Sequence, residues 1–441
     1  MHRNYERLFL LFLIAIGAAL RIVDITIPDL ATDEAQFALG ASAAQPPVGM
    51  FLFEIAQMLF GHEIFAVRGV SVLLGLLTLP LIFGITKTFS DEKTALLATA
   101  IAAIFPSHIF FSRLAYLSVA LCFGWALLLF VFLKARKACV TPSSAASAAR
   151  IEGRTATLWI IAVFLASVFV THIKTQGLLL PFFLMIGNFI ETGITRKKNS
   201  SLFTLHFSLT TTLFLSLIPI SLYILTHPGI AATLFLYGGS MYGVSDFMMR
   251  VQELCSVWWS LIGIFLIAAI FGMSALRKCP WPLQTLIVIG LLIGLLLGPG
   301  HSYYATKLVF LSIPLAIALT TLAMNVRMSV MTVLLLCTLF TLGPAHLVPF
   351  PDELFLNKGS WNEEAATLNE LLKGEKSVIV FGDAGHQVRW YLEPEVLVGK
   401  NLSPPYDANY ALLLNIGETR KVPTTKVVFV GETGGLVQMK D

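Results

Sequence analysis

Charged residues and cysteines are both scarce in this sequence. Only 13% of the 441 residues are charged and 56% are hydrophobic, whereas soluble domains contain roughly 25% charged residues. This shortage excludes an ordinary soluble protein. The five cysteines are widely separated and form no C-x-x-C pair, which argues against a disulfide framework and a structural zinc site. The sequence also lacks a Gly-rich phosphate loop, so we predict no nucleotide site.

Long apolar runs fill the first 349 residues. Because a helix of about 20 apolar residues crosses a bilayer, we predict an all-α polytopic membrane bundle of about eleven transmembrane helices in the lipid bilayer. The candidate spans lie near residues 8–27, 64–86, 93–110, 114–133, 157–173, 175–192, 203–226, 256–276, 283–299, 306–324 and 328–348. The first run could be a cleaved signal peptide, but its apolar character resumes past Arg21 and favours a retained helix.

The distribution of Lys and Arg predicts the orientation. With the N-terminus in the cytoplasm, the inner loops hold most of the basic residues of this region, as is usual in membrane proteins. The basic residues left on the outside occur singly and are Arg21, Arg68, Arg113, Lys174, Arg250 and Lys307. An odd number of spans then puts the C-terminus outside, and we expect a multi-pass protein of the plasma (inner) membrane. We expect no nucleic-acid partner, because the net charge of +4 comes from short loops.

The composition changes at about residue 350, where charges become frequent and the apolar runs shorten. A capping box at Ser360 to Glu363 predicts a helix that ends near Lys373. The runs SVIVFG, YALLLNIG and KVVFVG are typical of buried strands. We therefore predict a transmembrane domain over residues 1–349 and a small extracytoplasmic α/β domain over residues 350–441.

The predicted first external loop, residues 28–63, is rich in acids. Between residues 20 and 68 there are six acidic residues against two basic ones. Asp33 and Glu34 are adjacent, and in a structural interpretation they complement the dipole in the first turn of a helix. In the catalytic interpretation one of them is a general base. Because adjacent helical positions point about 100° apart, we expect only one of the two to face a site.

Three external cations lie in very short turns beside aromatic or histidine residues, namely Arg113, Lys174 and Lys307. Such turns bring residues from neighbouring helix ends to one plane, and cations gathered in that plane could bind a phosphate group. Snorkelling to lipid headgroups is the alternative for each cation. The candidate substrate contacts beside them are His301, Tyr303 and Tyr304. The interfacial aromatic belt is the alternative for the tyrosines, and the whole arrangement suggests group transfer from a lipid phosphate.

Several short motifs follow one another in a distinctive order: Leu20-Arg21, Asp33-Glu34-Ala35, Gln45-Pro46-Pro47, FGHEIFAVR ending at Arg68, and HIKTQGLLLP around Lys174. This order resembles the first external loop of the C-type (GT-C) glycosyltransferases. The branch that contains the protein O-mannosyltransferases and the lipid A aminoarabinose transferase is the most similar. The resemblance covers roughly the first 190 residues, and the later spans only in topology.

The resemblance implies an inverting glycosyltransferase that takes a sugar from a polyprenyl-phosphate donor on the non-cytoplasmic face. Asp33 matches the proposed catalytic base, Glu34 is its neighbour, and Arg68 matches the arginine that opens the second span. Gln45 stands where many relatives have a lysine that helps to hold the lipid phosphate. Tyr116 stands where they often have an acid.

Other functions and several details remain open at the level of sequence. A transporter or flippase of lipid-linked sugar would use the same cations without a base, although no paired repeats typical of transporters are visible. An inactive family member that binds a partner through its external domain is a third possibility. The acceptor could be a protein, a glycan or a lipid. We predict no definite cofactor or metal site, although the loop carboxylates could hold a divalent ion.

Overall fold

The computed structural model describes residues 2–23, 25–26, 30, 32–40, 45–140, 146–195, 200–227, 280–286, 289, 313, 316–317, 320, 361–381, 385–392, 395–398, 410–414, 424–430 and 434–439. The chain divides into two compact units. The helical unit contains Met1–Val23, Ala43–Leu52 and Arg68–Val348. The mixed unit contains Asp24–Ser42, Phe53–Val67 and Pro349–Asp441.

Helices make up nearly all of the described part of the chain before residue 228. They are α1 His2–Ile22, α2 Thr32–Ala38, α3 Pro47–Phe60, α4 Ile64–Lys87, α5 Glu92–Ala103, α6 Pro106–Ser112, α7 Leu117–Val140, α8 Ala146–Ile173, α9 Leu179–Thr195 and α10 Ser200–Thr226. A short 3-10 helix, Thr175–Leu178, joins α8 to α9.

Four of the described helical stretches are long and apolar enough to cross a membrane. They are Ile64–Lys87, Leu117–Ala138, Thr155–Ile173 and Phe207–Thr226. These stretches overlap the spans predicted near 64–86, 114–133, 157–173 and 203–226, and the chain is a multi-pass membrane protein. The predicted spans from residue 256 onward lie largely outside the described residues, and so do Lys307, His301, Tyr303 and Tyr304.

The span predicted as one helix over residues 93–110 is instead two helices, and that prediction was wrong. Helix α5 ends at Ala103 and α6 begins at Pro106. Proline lacks a backbone N–H and disfavours helical dihedrals in the residue before it. Accordingly Phe105 is extended, with φ −68° and ψ 119°. The apolar run therefore continues through a break that hydrophobicity alone does not reveal.

The helical unit is held together by close helix packing. Helix α7 packs against α8, and α10 packs against both α8 and α9. Small residues allow the close approach: a Cβ added to Gly124 of α7 would lie 2.9 Å from Cγ2 of Val170 in α8. At their predicted cytoplasmic ends, α7 and α9 are linked by an ion pair in which Arg136 Nη2 lies 2.6 Å from Glu191 Oε1.

Within its described residues, the C-terminal part of the mixed unit contains a five-stranded sheet and two helices. Its elements are α11 Trp361–Leu371, β1 Ser377–Phe381, α12 Gly385–Tyr391, β2 Glu395–Val398, β3 Tyr410–Leu414, β4 Thr424–Val430 and β5 Gly434–Met439. The strand order is β2-β1-β3-β5-β4. Strand β1 pairs in parallel with β2 and β3, whereas β5 pairs antiparallel with β3 and β4.

The sequence predicts α11, β1, β3 and β4 in this region but not α12, β2 or β5. Helix α12 follows β1 and packs against α2 of the predicted first external loop. Most of that loop therefore lies in the same compact unit as the C-terminal residues. The assignment of two domains with a boundary at residue 349 stays a prediction.

Candidate functional site

Helix α2 carries the two acids predicted to be catalytic. It begins at Thr32, so Asp33 and Glu34 both lie in its first turn. Glu34 is completely buried, and it therefore does not face solvent. The side chain of Asp33 is not among those described. The expectation that only one of the two acids faces a site is compatible with a buried Glu34, and both catalytic roles stay predictions.

Hydrogen bonds from other segments of the mixed unit hold both ends of α2. Ahead of the helix, the backbone N–H of Leu30 donates to the hydroxyl of Tyr391 at 3.0 Å. At its other end, Gln57 Nε2 donates to the carbonyl of Ala38 at 2.7 Å. Gly40 then turns the chain away with φ +63°, a left-handed conformation that glycine adopts without steric cost. The segment that bears the acids is therefore fixed at its entry and its exit.

Lys174 lies in the helical unit at the turn between α8 and the short 3-10 helix. Its side chain is nine-tenths buried, and its Nζ donates to Ser118 Oγ at the start of α7 at 3.2 Å. Lys174 itself is extended, with φ −154° and ψ 149°, and its carbonyl accepts from Gly177 N at 2.7 Å. Lys174 is thus largely shielded from bulk water, and its ammonium group has a hydrogen-bond acceptor in Ser118.

The start of α3 packs directly against this turn. A Cβ added to Gly49 would lie 2.7 Å from the carbonyl oxygen of Ile173 and 2.6 Å from Leu117 Cδ2. Glycine is therefore the residue that allows α3 to approach so closely. Pro47 is the first helical residue of α3, where its missing N–H costs nothing. The structure thus brings the segment after Gln45 against the turn that carries Lys174, and a phosphate site at this turn stays a prediction.

The other predicted external cations occupy different settings. Arg113 is half-buried, and its Nη2 donates to the carbonyl of Val23, just after α1, at 2.7 Å. Arg68, in the first turns of α4, is buried with 1% of its surface exposed. Tyr116, where the family resemblance leads us to expect an acid, is also buried, and its ring packs edge-on against Phe111. Arg113 therefore helps to fix the end of α1, and phosphate-binding roles for both arginines stay predictions.

A buried Arg–His pair is the polar cluster that sequence reasoning missed. Arg21 is completely buried and donates from Nη1 to the carbonyls of Gly17 at 2.8 Å and Ala103 at 3.0 Å. Its Nη2 lies 2.8 Å from Nδ1 of His108, which is also completely buried. Arginine has no acceptor, so Nδ1 accepts and His108 is neutral with its proton on Nε2.

The pair explains how the interrupted span is stabilised. The break before Pro106 leaves carbonyls of the last turn of α5 without helical partners, and Arg21 donates to one of them, on Ala103. Its positive charge also complements the negative end of the α5 dipole. Arg21 and His108 are 87 residues apart in the sequence, and no local pattern could have paired them.

No metal centre is apparent in the part of the chain that the structure describes. Within those residues no group of three His, Cys, Asp or Glu side chains is placed to hold a metal ion. The residues predicted to contact the substrate near Lys307 lie outside the described part. Each unit therefore has its own described feature: helix α2, held at both ends, in the mixed unit, and the turn around Lys174 in the helical unit.

Comparison with known proteins identifies the fold. The family model of dolichyl-phosphate-mannose-protein mannosyltransferases matches residues 44–141. Crystal structures of ArnT from Cupriavidus metallidurans, bound to undecaprenyl phosphate and in the apo state, have TM-scores of 0.63 and 0.66. Both are 14% identical to this chain, and the match covers 97% of each chain. No curated protein matches the chain significantly.

A second protein of known structure has the same fold over most of this chain. The archaeal oligosaccharyltransferase AglB from Archaeoglobus fulgidus, in complex with an inhibitory peptide and a dolichol-phosphate, has a TM-score of 0.56 at 12% identity. The match covers 90% of this chain and 64% of that chain. At such identities the likeness establishes the fold. The resemblance to the GT-C branch of O-mannosyltransferases and the aminoarabinose transferase, first seen in the motifs, is confirmed.

Proposed function

We propose that this chain is an integral-membrane glycosyltransferase that moves a sugar from a polyprenyl-phosphate donor to an acceptor on the non-cytoplasmic face. The observation that carries the proposal is the fold shared along 97% of the chain with ArnT, one structure of which holds undecaprenyl phosphate. The complex of AglB with a dolichol-phosphate adds a second lipid-phosphate ligand in this fold. The acceptor is a protein, a glycan or a lipid.

Lys174 is the residue we propose for the donor phosphate. Lys174 is nine-tenths buried, and its ammonium group donates to the neutral hydroxyl of Ser118. Burial weakens the competition from water, so a charge-assisted hydrogen bond to phosphate is stronger there than at an exposed site. Such a bond contributes about 1.5–3 kcal/mol. Lys174 thereby supplies the cation that Gln45 does not.

In the proposed reaction Asp33 is the general base. It takes the proton of an acceptor hydroxyl as that oxygen attacks the anomeric carbon of the sugar. The bond between the anomeric carbon and the phosphate oxygen breaks at the same time, and the electron pair leaves with the polyprenyl phosphate. Lys174, with Arg68 and Arg113, balances the charge on the departing phosphate. A single displacement of this kind inverts the anomeric centre.

The test is sugar transfer from a radiolabelled polyprenyl-phosphate donor in membranes with matched expression of wild type, Asp33→Asn and Glu54→Gln. Glu54 lies in the same predicted loop and is exposed on α3, so its variant controls for the loss of one loop carboxylate. We expect the control to match wild type. Asp33→Asn should fall by a factor of about 10²–10⁴, the range typical of a lost acid or base.

Other outcomes point to the other functions. Equal transfer by Asp33→Asn and wild type would eliminate Asp33 as the base. Movement of the donor across vesicles without transfer would favour a flippase. Donor binding with neither transfer nor movement would favour an inactive binding member of the family.

A further inference from the structure

Helix α12 of the C-terminal part of the chain is attached to the segment that carries the predicted base. It packs against α2 within the mixed unit. Its last two residues, Trp390 and Tyr391, make the specific contacts. Neither belongs to a motif that the sequence comparison with the GT-C enzymes singles out, so the role of this helix has to come from its contacts.

The first contact is the hydrogen bond from the backbone N–H of Leu30 to Tyr391 Oη, at 3.0 Å. Leu30 is completely buried, and a buried N–H without a partner would cost about 1–3 kcal/mol. It lies two residues before the start of α2 and three before Asp33. The hydroxyl of Tyr391 therefore determines where the chain enters the helix.

Tyr391 is itself held in place by the C-terminal part of the chain. Asn369 of α11 donates from Nδ2 to the carbonyl oxygen of Tyr391 at 3.0 Å. The tyrosine side chain and its main chain are thus bonded to different segments. A displacement of α12 relative to α11 would be transmitted to the entry of α2.

The second contact involves Trp390 and His62, which precedes α4. Their rings stack with centroids 3.7 Å apart and planes inclined by 26°. His62 Nε2 lies 3.2 Å from the carbonyl oxygen of Trp390, and its Nδ1 lies 3.0 Å from Gln57 Oε1. Gln57 in turn donates to the carbonyl of Ala38, the last residue of α2. This second path connects α12 to the exit of the same helix.

We infer that Tyr391 is a positioning residue that fixes the entry into α2, so that the C-terminal part of the chain holds the catalytic segment in its working place. The inference rests on the proposed function only for its kinetic consequence. The physical claim is that the Tyr391 hydroxyl protects the Leu30 amide. The kinetic claim is that Asp33 loses its alignment when that hydroxyl is removed.

The variant that tests both claims is Tyr391→Phe in the full-length protein in lipid nanodiscs, because it removes one oxygen and keeps the ring. Tyr223→Phe, which removes a hydroxyl from α10, is the matched control. Hydrogen exchange of a peptide covering Leu30 should accelerate about tenfold in Tyr391→Phe alone, as expected when one buried amide bond opens more readily. The midpoint temperature of thermal unfolding should change little in either variant.

The kinetic arm measures sugar transfer against donor concentration. We expect kcat to fall about tenfold in Tyr391→Phe while KM for the lipid donor stays the same, because misplacing a reacting group by less than 1 Å is enough for such a loss. Unchanged exchange at Leu30 would overturn the inference. An unchanged kcat despite faster exchange at Leu30 would also overturn the inference. Parallel changes in kcat and KM together with a loss of stability would overturn it as well. Absence of transfer in wild type would refute the proposed function, and the exchange experiment would still decide the contact.

Discussion

Gly49 offers a sharp test of the phosphate site, because it lies where α3 meets the turn that carries Lys174. In Gly49→Ala the new Cβ would start 2.7 Å from the Ile173 carbonyl oxygen and 2.6 Å from Leu117 Cδ2. Ordinary van der Waals contact begins at about 3.4 Å. The leucine methyl can rotate away, but the carbonyl is backbone and precedes Lys174 directly. Either α3 or the Lys174 turn must therefore shift by several tenths of an ångström.

The magnitude follows from two opposing effects. Overpacking of this kind costs about 1–3 kcal/mol, and replacing a helical glycine with alanine recovers up to about 1 kcal/mol. The net loss of stability should be about 0–3 kcal/mol. Donor binding should weaken as well, because a displaced ammonium group forfeits much of a bond worth about 1.5–3 kcal/mol. We expect donor KM to rise about tenfold or more.

The assay is steady-state transfer at varied donor concentration, together with a thermal melt of each variant. Gly69→Ala is the matched control: Gly69 is also helical, in α4, and a Cβ added there would meet no atom within 4 Å. The control should keep wild-type KM and be as stable or more stable. If Gly49→Ala and Gly69→Ala have the same donor KM, the proposed role of the Lys174 turn is refuted.

Two further predictions concern stability, measured by thermal unfolding in detergent. Arg21→Met leaves the Ala103 carbonyl and His108 Nδ1 without their donor, which should lower the free energy of unfolding by about 1–3 kcal/mol for each buried group. The double variant Arg21→Met/His108→Phe should lose less stability than the sum of the two single variants. Additive losses of stability would contradict the pairing. Asp91 caps α5 by accepting from Thr94 N at 2.9 Å, and hydrogen bonds from Thr94 lower its pKa. Because the folded pKa is depressed, this stabilisation is present at neutral pH and is lost as the pH falls below about 4. Asp91→Ala should cost about 1 kcal/mol at pH 7 and little or nothing in acid, where the wild type has already lost this stabilisation. An equal loss at both pH values would contradict the cap.

The sequence predicts the features that depend on local composition. A span such as Ile64–Lys87 is visible because bilayer thickness sets its length and most of its residues must be apolar. The strands β1, β3 and β4 are visible because each contains a short continuous apolar run, the pattern expected of a strand. Even the break before Pro106 has a local cause, although the uninterrupted hydrophobicity around it led to one predicted helix.

The site depends instead on contacts between distant residues, which local patterns do not determine. Arg21 and His108 meet across 87 residues, and Leu30 and Tyr391 across 361. Such pairs form only after the helices and strands have packed, so neither residue carries a local signal of its partner. Lys174 is an intermediate case: its motif and its short turn drew attention to it, but its burial and its bond to Ser118 could not be read from the sequence.

Release of free polyprenyl phosphate from a polyprenyl-phosphate sugar by the purified chain is the most direct test of the central claim. The protein would be placed in lipid nanodiscs with labelled donor and an extract of envelope acceptors, with Asp33→Asn beside it. We predict that with wild type the label leaves the lipid and appears on an acceptor, and that Asp33→Asn releases at most about a hundredth as much free polyprenyl phosphate. Donor that stays intact with wild type, under conditions in which it binds, would contradict the claim that this protein is a glycosyltransferase.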